Sequence, residues 1–533
     1  MGGTEEERPT ELGPAGTEPA MVDPTPAGAK SAGVESAESA GPKGEGQGRH
    51  GLAELIAERR AKAQRLKESD PEAFPYAYAG VEPIATVLET HAQLAAGEET
   101  EEAHRVAGRV AARRGSGKAA FLDLVDRSGK IQLHARVDVL GEEAFARLTS
   151  LDLGDLVGID GAALRSRRGE LSLRVERFQI LAKALRPPPD KHHGLSDVET
   201  RYRRRELDLI ANEDARKVFV DRAKIISAIR SYLDREGFVE LETPVLQPLY
   251  GGALARPFTT HHNALDRDLY LRIATELYLK RALVGGLERV YELGKNFRNE
   301  GLSPKHNPEF TVIEWYEAYA DYQDEARRLE AIVGAAADAV RYDGELKLRE
   351  PFARVSFGEA IERATGIDVL ALRDVSALAR AIRERGLEMA TEGFTWPQLA
   401  DDLLSKYVEP KLQQPTFVMD YPIELSPLAR EHRDPAKPEL VERWEAFAGG
   451  MEIANAFSEL IDADVQRERF RAQERLQTLA EEEAQPYDEV FVEALEQGMP
   501  PAGGVGVGID RLVMLLTGRD SIREVVLFPA MRD

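Results

Sequence analysis

The spacing of apolar residues changes several times along the chain, and each change predicts a different kind of structure. Residues 1–50 are rich in Gly, Ala, Pro, Glu and Ser, with almost no large apolar side chain, which predicts a disordered tail. Sparse apolar positions over residues 51–69 predict a helix that opens an N-terminal helical segment, 51–103. The other face of this helix is basic, which fits either a solvated face or contact with phosphate groups.

Residues 104–185 alternate between apolar and polar positions in short runs, as strands do. Two of these runs are joined by the polar turn at residues 127–130, which predicts a hairpin. Its inward face carries Leu122, Leu124, Ile131, Leu133 and Ala135. Its outward face carries Phe121, Gln132, His134 and Arg136. An exposed aromatic ring beside polar groups suits unstacked bases, although a plain polar sheet face is the alternative. The pattern predicts a small five-stranded barrel of the oligonucleotide-binding (OB) kind.

The rest of the chain mixes helical and strand patterns. Residues 186–211 contain three consecutive prolines and a cluster of arginines, which predicts a linker between domains. Residues 212–533 show no regular β-α alternation, which favours an antiparallel α+β domain over a doubly wound sheet. Within it, residues 341–414 predict a helical insertion.

Composition narrows the classes of protein that the chain belongs to. Its 533 residues are 43% hydrophobic, which supports more than one core. The sequence shows neither a membrane-spanning apolar run nor a secretory signal, and the absence of cysteine fits a reducing cytoplasm. A net charge of −23 argues against nonspecific coating of nucleic acids, but it leaves room for local basic patches.

The stretch 297–322 places charged groups where a hairpin held by packing alone would carry apolar ones. Strand alternation predicts that Arg298 and Glu300 share one face of the first run. The second run presents on one face Phe310, Val312, Glu314 and Tyr316. Burying such groups without partners is costly. A ligand with an anionic part, a flat base and a cationic part would supply those partners, and a solvent-facing hairpin with ion pairs is the alternative.

A second hairpin is predicted around Gly449-Gly450. A two-residue loop at these glycines sets Phe447 opposite Glu452 and leaves Glu445 on the same side. Two neighbouring carboxylates favour a cation, and hard oxygen ligands suit magnesium. Strict alternation sends the next polar positions of the second strand to the other face. Either a bulge intervenes, or those residues serve a neighbouring pocket.

Two further stretches carry candidate site residues. Glu276 lies among apolar neighbours in a helical pattern, where a lone glutamate is usually a surface residue. The glycine-rich stretch 503–511 lets a ligand approach the backbone beside Arg511. Its GxGxG spacing without a βαβ unit does not fit a dinucleotide fingerprint, and the chain has no GxxxxGK[ST] phosphate loop.

In their order along the chain, these stretches resemble the motifs of bacterial class II lysyl-tRNA synthetases from about residue 50 onwards. Motif one resembles residues 217–244, ending in GFVELETP. Motif two resembles FRNEG with HNPEFT, within residues 297–311, and motif three resembles GVGIDR at 506–511. Further matching segments are DLGD at 152–155, GELSL at 169–173, GGALARPF at 251–258, ELYLKR at 276–281, ANAFSEL at 454–460 and LFPAMR at 527–532.

The resemblance implies a role for each candidate residue. It assigns the catalytic charges to Arg298, near the α-phosphate of ATP, and Arg511. It assigns ATP binding to Arg298, Glu300, His306, Asn307, Phe310, Glu452 and Arg511. It assigns lysine binding to Gly252, Glu276, Glu314, Tyr316, Asn455, Phe457 and Glu459. It assigns magnesium binding to Glu445 and Glu452. It assigns anticodon reading to Arg113, Phe121, Gln132 and Glu170.

The reaction implied is attachment of L-lysine to tRNA(Lys) through a lysyl-adenylate, by a cytoplasmic homodimer that needs Mg²⁺ and no membrane. The chain departs from the usual family pattern at Glu206, Thr275, Met451 and Ile461. These departures keep two alternatives open: a class II synthetase paralogue with a shifted substrate, and a non-catalytic synthetase-like RNA-binding protein.

Overall fold

The fold was analysed in a computed structural model, which describes residues 51–189, 195, 197–253, 255–477 and 486–532. The predicted disordered tail lies outside the described residues. The N-terminal part forms a closed barrel with strand order β1-β2-β3-β5-β4, preceded by two helices. Its elements are α1 (Leu52–Ser69), α2 (Ile84–Thr90), β1 (Glu99–Ser116), β2 (Ala119–Val125), β3 (Lys130–Arg136), α3 (Val137–Leu140), α4 (Glu142–Thr149), β4 (Leu156–Arg165) and β5 (Leu171–Ala182).

The predicted hairpin in this barrel is β2 and β3, paired antiparallel with Leu122 opposite Leu133. The predicted inward side chains are all buried in the barrel core. Period-two alternation therefore located both faces of the hairpin correctly, and the five-stranded barrel is confirmed. The first strand begins at Glu99, five residues before the predicted start of the barrel.

The C-terminal part is built around a sheet of eight strands. Its elements begin with α5 (Val198–Arg203), α6 (Arg205–Ala211), α7 (Glu213–Arg235), β6 (Val239–Glu240), β7 (Leu246–Gln247), β8 (Thr259–His262), β9 (Arg267–Leu271), α8 (Glu276–Val284), β10 (Arg289–Phe297), β11 (Glu309–Ala318) and α9 (Tyr322–Ala339). They continue with β12 (Ala353–Ser356), α10 (Phe357–Thr365), α11 (Val375–Glu384), α12 (Trp396–Leu403), β13 (Thr416–Pro422), β14 (Leu440–Ala448), β15 (Met451–Ser458), α13 (Ala463–Gln477), α14 (Glu489–Glu496), β16 (Ala502–Gly508), α15 (Ile509–Thr517) and α16 (Ile522–Val525).

The eight strands follow the order β12-β13-β14-β15-β16-β11-β10-β6, and β7, β9 and β8 form a separate small sheet. Only the two outermost pairs, β6 with β10 and β12 with β13, are parallel. The antiparallel α+β prediction is therefore confirmed for the six central strands. Helices α7, α9 and α15 contribute side chains to a core that also contains Trp315 and Trp444 from the sheet. This core covers one side of the sheet, so a ligand site has only the other side available.

Two predictions about chain segments need correction. The predicted linker contains α5 and α6. It is also packed against the C-terminal segment, since the buried Arg205 donates hydrogen bonds to the carbonyls of Leu527 and Arg523, and to Asp208. The predicted insertion is helix-rich, with α10, α11 and α12, but its strand β12 joins the edge of the main sheet.

The placement of Arg298 and Glu300 on a strand was wrong. Strand β10 ends at Phe297, and the following eleven-residue connection, residues 298–308, runs to β11. The last ladder pair joins Phe297 to Glu309, and the next residue along β11 would be Pro308, which has no N–H to donate. Both charged residues therefore lie in a loop.

No helix in the described part of the chain combines the length and the apolar character needed to cross a membrane.

Candidate active site

One face of the central sheet carries a cavity of about 310 Å³ that collects most of the predicted site residues. Loops and strands β11, β15 and β16 supply its walls. The predicted residues that line it are Gly252, Glu276, Arg298, Glu300, His306, Asn307, Phe310, Glu314, Tyr316, Glu452, Asn455, Phe457 and Arg511. These side chains come from five separate stretches of sequence, so the fold brings the predicted groups together.

The second predicted hairpin resolves the alternative left open by the sequence. Phe447 pairs with Glu452 around the turn, and both glycines of the turn have positive φ. The register then shifts between Ala446 and Phe447, so Ala446 pairs with Ala454. This bulge turns Asn455 and Phe457 into the same cavity as Glu452. The bulge therefore brings these two residues to the predicted cavity, whereas Glu459 stays outside it.

At one end of the cavity, the Arg298 guanidinium offers a donor that no protein group uses. Arg298 lies 5.2 Å from the Phe310 ring centroid, and its buried Nε has no hydrogen-bond partner. Removal from water lowers the pKa of this guanidinium, which an anion bound beside it would counteract. Arg511 donates to the carbonyl of Glu452 at 2.8 Å and lies 3.1 Å from Nε2 of His306. This end is therefore suited to an anionic ligand with a flat ring.

His306 and Asn307 differ in what they offer to a ligand. Partial burial and the Arg511 guanidinium lower the pKa of His306, which favours the neutral ring. Asn307 lines the cavity, but both ends of its side chain are engaged by backbone. Its Nδ2 donates to the Glu309 carbonyl at 2.5 Å, and its Oδ1 accepts from the Ala530 amide at 3.2 Å. Asn307 thus fixes the 298–308 loop to the C-terminal segment.

The two carboxylates predicted to bind magnesium line an adjoining cavity. Glu445 accepts hydrogen bonds from Tyr421 at 2.7 Å and from Arg443 at 2.5 Å. Glu452 forms a 3.1 Å ion pair with Arg511. Burial, Glu452 and Asp401 raise the pKa of Glu445 to about 7, against the opposing effect of Arg443. The excess of acids favours an added cation, and two carboxylates fit magnesium that is also held by phosphates.

The other end of the cavity is buried and acidic. Glu314 accepts a hydrogen bond from the Thr275 amide at 3.1 Å and from the Tyr316 hydroxyl at 3.2 Å. Burial and the nearby Glu276 raise the pKa of Glu314. Glu459 does not line the cavity; it lies behind Gly504, where an added Cβ would come within 2.0 Å of its Oε1. Glycine at 504 therefore keeps this acid close to the cavity.

A buried lysine that the sequence analysis missed lies among these acids. Lys280 donates to Glu276 at 2.6 Å, pairs with Glu459, and lies 5.1 Å from the Phe457 ring centroid. Burial disfavours its charge, but Glu276 and Glu459 outweigh that effect and raise its pKa. Its spacing of four residues from Glu276 on α8 places both on one helix face, so helical periodicity was the available signal.

A second residue that the sequence analysis missed is an acid that lies beneath the cavity. The fully buried Glu325 accepts a hydrogen bond from Nε1 of Trp315 at 2.7 Å. Burial raises the pKa of Glu325 to about 8. No sequence pattern connects Glu325 to the site, because it reaches the sheet from α9.

The residues predicted to read an anticodon lie on the barrel, and their surroundings differ. Phe121 stacks on His134 with ring centroids 4.8 Å apart and an angle of 4° between the planes. Gln132 accepts a hydrogen bond from Ser172, and Glu170 is exposed. Arg113 donates instead to backbone carbonyls at the end of α4, including that of Leu151 at 2.7 Å. The aromatic platform is open to a base, whereas the Arg113 guanidinium is occupied by protein.

Comparisons with known proteins match both parts of the chain. Residues 197–532 match the family model for class II tRNA synthetases (D, K and N), and residues 104–181 match the model for the OB-fold nucleic acid binding domain. The lysine–tRNA ligase of Carboxydothermus hydrogenoformans is 47% identical, with 90% of this chain and 98% of that protein covered. The lysine–tRNA ligase of Prochlorococcus marinus (strain MIT 9303) is 50% identical, with 90% and 97% covered. That of Roseiflexus sp. (strain RS-1) is 49% identical, with 90% and 99% covered.

Proposed function

This chain belongs to the class II tRNA synthetases, in the lysine–tRNA ligase family, and from that premise we propose how its own residues attach lysine to tRNA(Lys). The family match and the retained OB-fold domain favour tRNA lysylation over a paralogue with a shifted substrate. They also favour it over a non-catalytic RNA-binding protein, because Arg298, Glu300 and Arg511 are present.

The balance of charges at the buried end of the cavity is the observation that supports lysine as the substrate. Two buried carboxylates, Glu276 and Glu314, line this end, and the buried Glu459 lies directly behind it at Gly504. The only cationic side chain that pairs with any of them in the described structure is Lys280. Buried charges need partners, and the α- and ε-ammonium groups of free lysine would balance the two remaining negative charges. An aspartate or asparagine side chain would not.

ATP would occupy the opposite end. Phe310 offers a ring for the adenine, and Glu300 stands at the mouth beside it. Arg298 would contact the α-phosphate, with Arg511 and the neutral His306 on the distal phosphates. Glu445 and Glu452 would hold magnesium, which neutralises phosphate charge when it is bound with ATP.

The chemistry then requires positioning and charge stabilisation rather than a protein nucleophile. The lysine carboxylate attacks the α-phosphorus, pyrophosphate leaves, and a lysyl-adenylate forms. The terminal ribose hydroxyl of the tRNA next attacks the lysyl carbonyl carbon, and AMP leaves. Arg298 would stabilise the charge that develops on the α-phosphate.

The test is ATP–pyrophosphate exchange measured with each of the twenty amino acids, followed by charging of tRNA. We expect exchange with lysine alone and transfer of lysine to tRNA(Lys). Exchange with a different amino acid, or with none, would overturn the assignment of the buried end to lysine.

We further propose that the chain works as a homodimer in the cytoplasm. Helix α7 and strand β6, which carry motif one, expose apolar side chains that a partner would cover, including Val220 at 53% and Val239 at 48% exposure. A shallow apolar hollow runs along α7 beside Ala223 and Ala228.

Sedimentation of the Val220→Glu variant tests this face. We expect the dimer to dissociate at micromolar concentration, since a charge would be buried in an apolar contact. Val490→Glu is the matched control, because Val490 is 54% exposed on α14, away from this face. A dimer that survives Val220→Glu as well as it survives Val490→Glu would contradict the proposed interface.

A further inference from the structure

Two buried histidines lie in the N-terminal part, and neither lines the active-site cavity. His91 follows the end of α2, and His104 lies on β1; their side chains are only 8% and 4% exposed. Their Nε2 atoms are 2.7 Å apart, and the rings meet edge to face. The Glu102 carboxylate lies 3.7 Å from Nε2 of His91. Among the described residues, this is the one group of three side chains with ligand atoms close enough to hold a metal ion together.

The surroundings of His104 prepare its Nε2 to act as a ligand. Nδ1 of His104 lies 2.9 Å from a carboxylate oxygen of Glu82. That oxygen also accepts a hydrogen bond from the Arg105 amide at 3.3 Å, which holds the carboxylate in place. A proton on Nδ1 donated to Glu82 leaves the Nε2 lone pair of His104 directed at His91. A carboxylate on the remote nitrogen is the arrangement that orients metal-binding histidines.

The chain around Glu102 is shaped to bring this acid to the pair. The ladder between β1 and β4 loses its register between Glu99 and Ala103, with four steps on β1 against two on β4. Such bulges redirect side chains. Together, Glu82 and Glu102 carry the two negative charges that would balance a divalent ion. The neighbouring guanidinium groups are engaged elsewhere, since Arg165 binds the carbonyls of His91 and Ala92 and Arg105 binds Asp160.

We propose that His91, His104 and Glu102 bind one zinc ion, with Glu82 as the positioning residue for His104. Two imidazoles and one carboxylate suit zinc, and the exposed side of Glu102 leaves a fourth position for water. Zinc needs His91 in the tautomer with its proton on Nδ1. Zn–N bonds of about 2.0–2.1 Å in a tetrahedron set the two Nε2 atoms roughly 3.3 Å apart, so the rings separate by about half an ångström on binding. The ion would link α2 to the first barrel strand.

The experiment is a zinc titration of the EDTA-treated full-length protein, followed by calorimetry and by the visible spectrum of the cobalt-substituted form. We expect one saturable equivalent, a tetrahedral cobalt spectrum, and a higher melting temperature with zinc. Glu102→Gln should weaken zinc binding at least tenfold, and Glu82→Gln should weaken it about tenfold through loss of the orienting hydrogen bond. Glu102 is 61% exposed, so its variant tests the site without threatening the fold.

Two controls separate this site from adventitious binding. Glu101→Gln changes an exposed acid on the same strand, and His261→Ala removes an exposed histidine that lies beside Asp266 and Asp268. Both variants should still bind one equivalent of zinc, whereas His91→Ala should not bind it. Absence of a saturable equivalent, or one that persists unchanged in Glu102→Gln and His91→Ala, would overturn the proposal and leave a metal-free histidine pair. Lysine-dependent exchange should be unchanged in the Glu82, His91, Glu101 and Glu102 variants, because these residues lie in the N-terminal part and do not line the active-site cavity.

Discussion

The two ends of the active-site cavity handle charge in opposite ways. At the lysine end, Glu276, Glu314 and Glu459 are buried, and a protein lysine already neutralises part of their charge. At the ATP end, Glu300 and His306 are exposed, and the Nε of Arg298 has no partner. One end is a dry cluster of acids with a single internal counter-charge, while the other is more open to water and carries the Arg298 and Arg511 guanidinium groups.

This contrast indicates which end of the cavity discriminates between amino acids and which end tolerates substitutions. Charges interact more strongly where water is excluded, so one missing or misplaced ammonium at the lysine end leaves an expensive unpaired acid. At the ATP end, water and salt screen the charges, and the ligand brings its own phosphates. Changes at the buried end should therefore cost more than similar changes at the open end.

The largest expected effect follows from neutralising the buried Glu314. Glu314→Gln should lower kcat/KM for lysine in the exchange reaction roughly a hundredfold, because an ammonium group loses its desolvated partner. This factor corresponds to a loss of about 3 kcal/mol of binding free energy. ATP binding, measured by equilibrium dialysis, should be unchanged. Glu309→Gln is the matched control, since Glu309 is an exposed acid on the same strand. Wild-type kinetics in Glu314→Gln would remove this residue from the lysine pocket.

A second prediction compares one lysine at each end. Lys280→Met should lower the free energy of unfolding by about 3 kcal/mol, because it strands Glu276 and Glu459 in the interior. Lys305 also lines the cavity but is 41% exposed and pairs with Glu409, so Lys305→Met should cost less than about 1 kcal/mol. Urea unfolding measures both.

The double variant Lys280→Met/Glu459→Gln tests the reason given for the first effect. Neutralising Glu459 as well should restore part of the lost stability, since only Glu276 is then left without its cationic partner. A double variant less stable than Lys280→Met would mean that Lys280 stabilises the fold by packing and not by pairing.

The contrast between the two ends also shows what the sequence was able to predict. Alternation along β11 correctly placed Phe310 and Glu314 on one face, because a regular strand has a fixed period. It failed where the backbone departs from that period. Pro308 ends the ladder before Arg298, and the bulge beside Phe447 realigns Asn455. Pro308 is a local signal of the first departure, whereas no local pattern specifies the second.

Ion pairs between segments that are distant in the sequence were the other feature that could not be predicted. The pairing of Lys280 with Glu276 was predictable, because the two residues are four positions apart on one helix. The contact of Lys280 with Glu459 was not, because it joins α8 to the residue that follows β15. Likewise, the Nε1 of Trp315 on β11 donates to Glu325 on α9, a contact that strand periodicity does not reveal. The family resemblance identified the acids, whereas their internal counter-charge depends on tertiary structure.

The smallest expected effect concerns the proposed magnesium ligands between the two ends. Burial and the neighbouring acids raise the pKa of Glu445 to about 7, so protons compete with magnesium for this carboxylate near neutrality. The magnesium concentration for half-maximal exchange should be nearly constant above about pH 8, and it should rise by close to tenfold for each pH unit below about 7. Saturating magnesium should largely remove this pH dependence.

Tyr421→Phe sharpens the same measurement. The Tyr421 hydroxyl donates to Glu445 at 2.7 Å and favours its ionised form, so the variant should shift the onset of magnesium weakening to higher pH. The shift should be below one pH unit, because one hydrogen bond contributes about 1 kcal/mol. If half-saturation is the same at about pH 6 and about pH 8 in both proteins, then Glu445 is not a magnesium ligand, and the cation must be held by Glu452 and the phosphates alone.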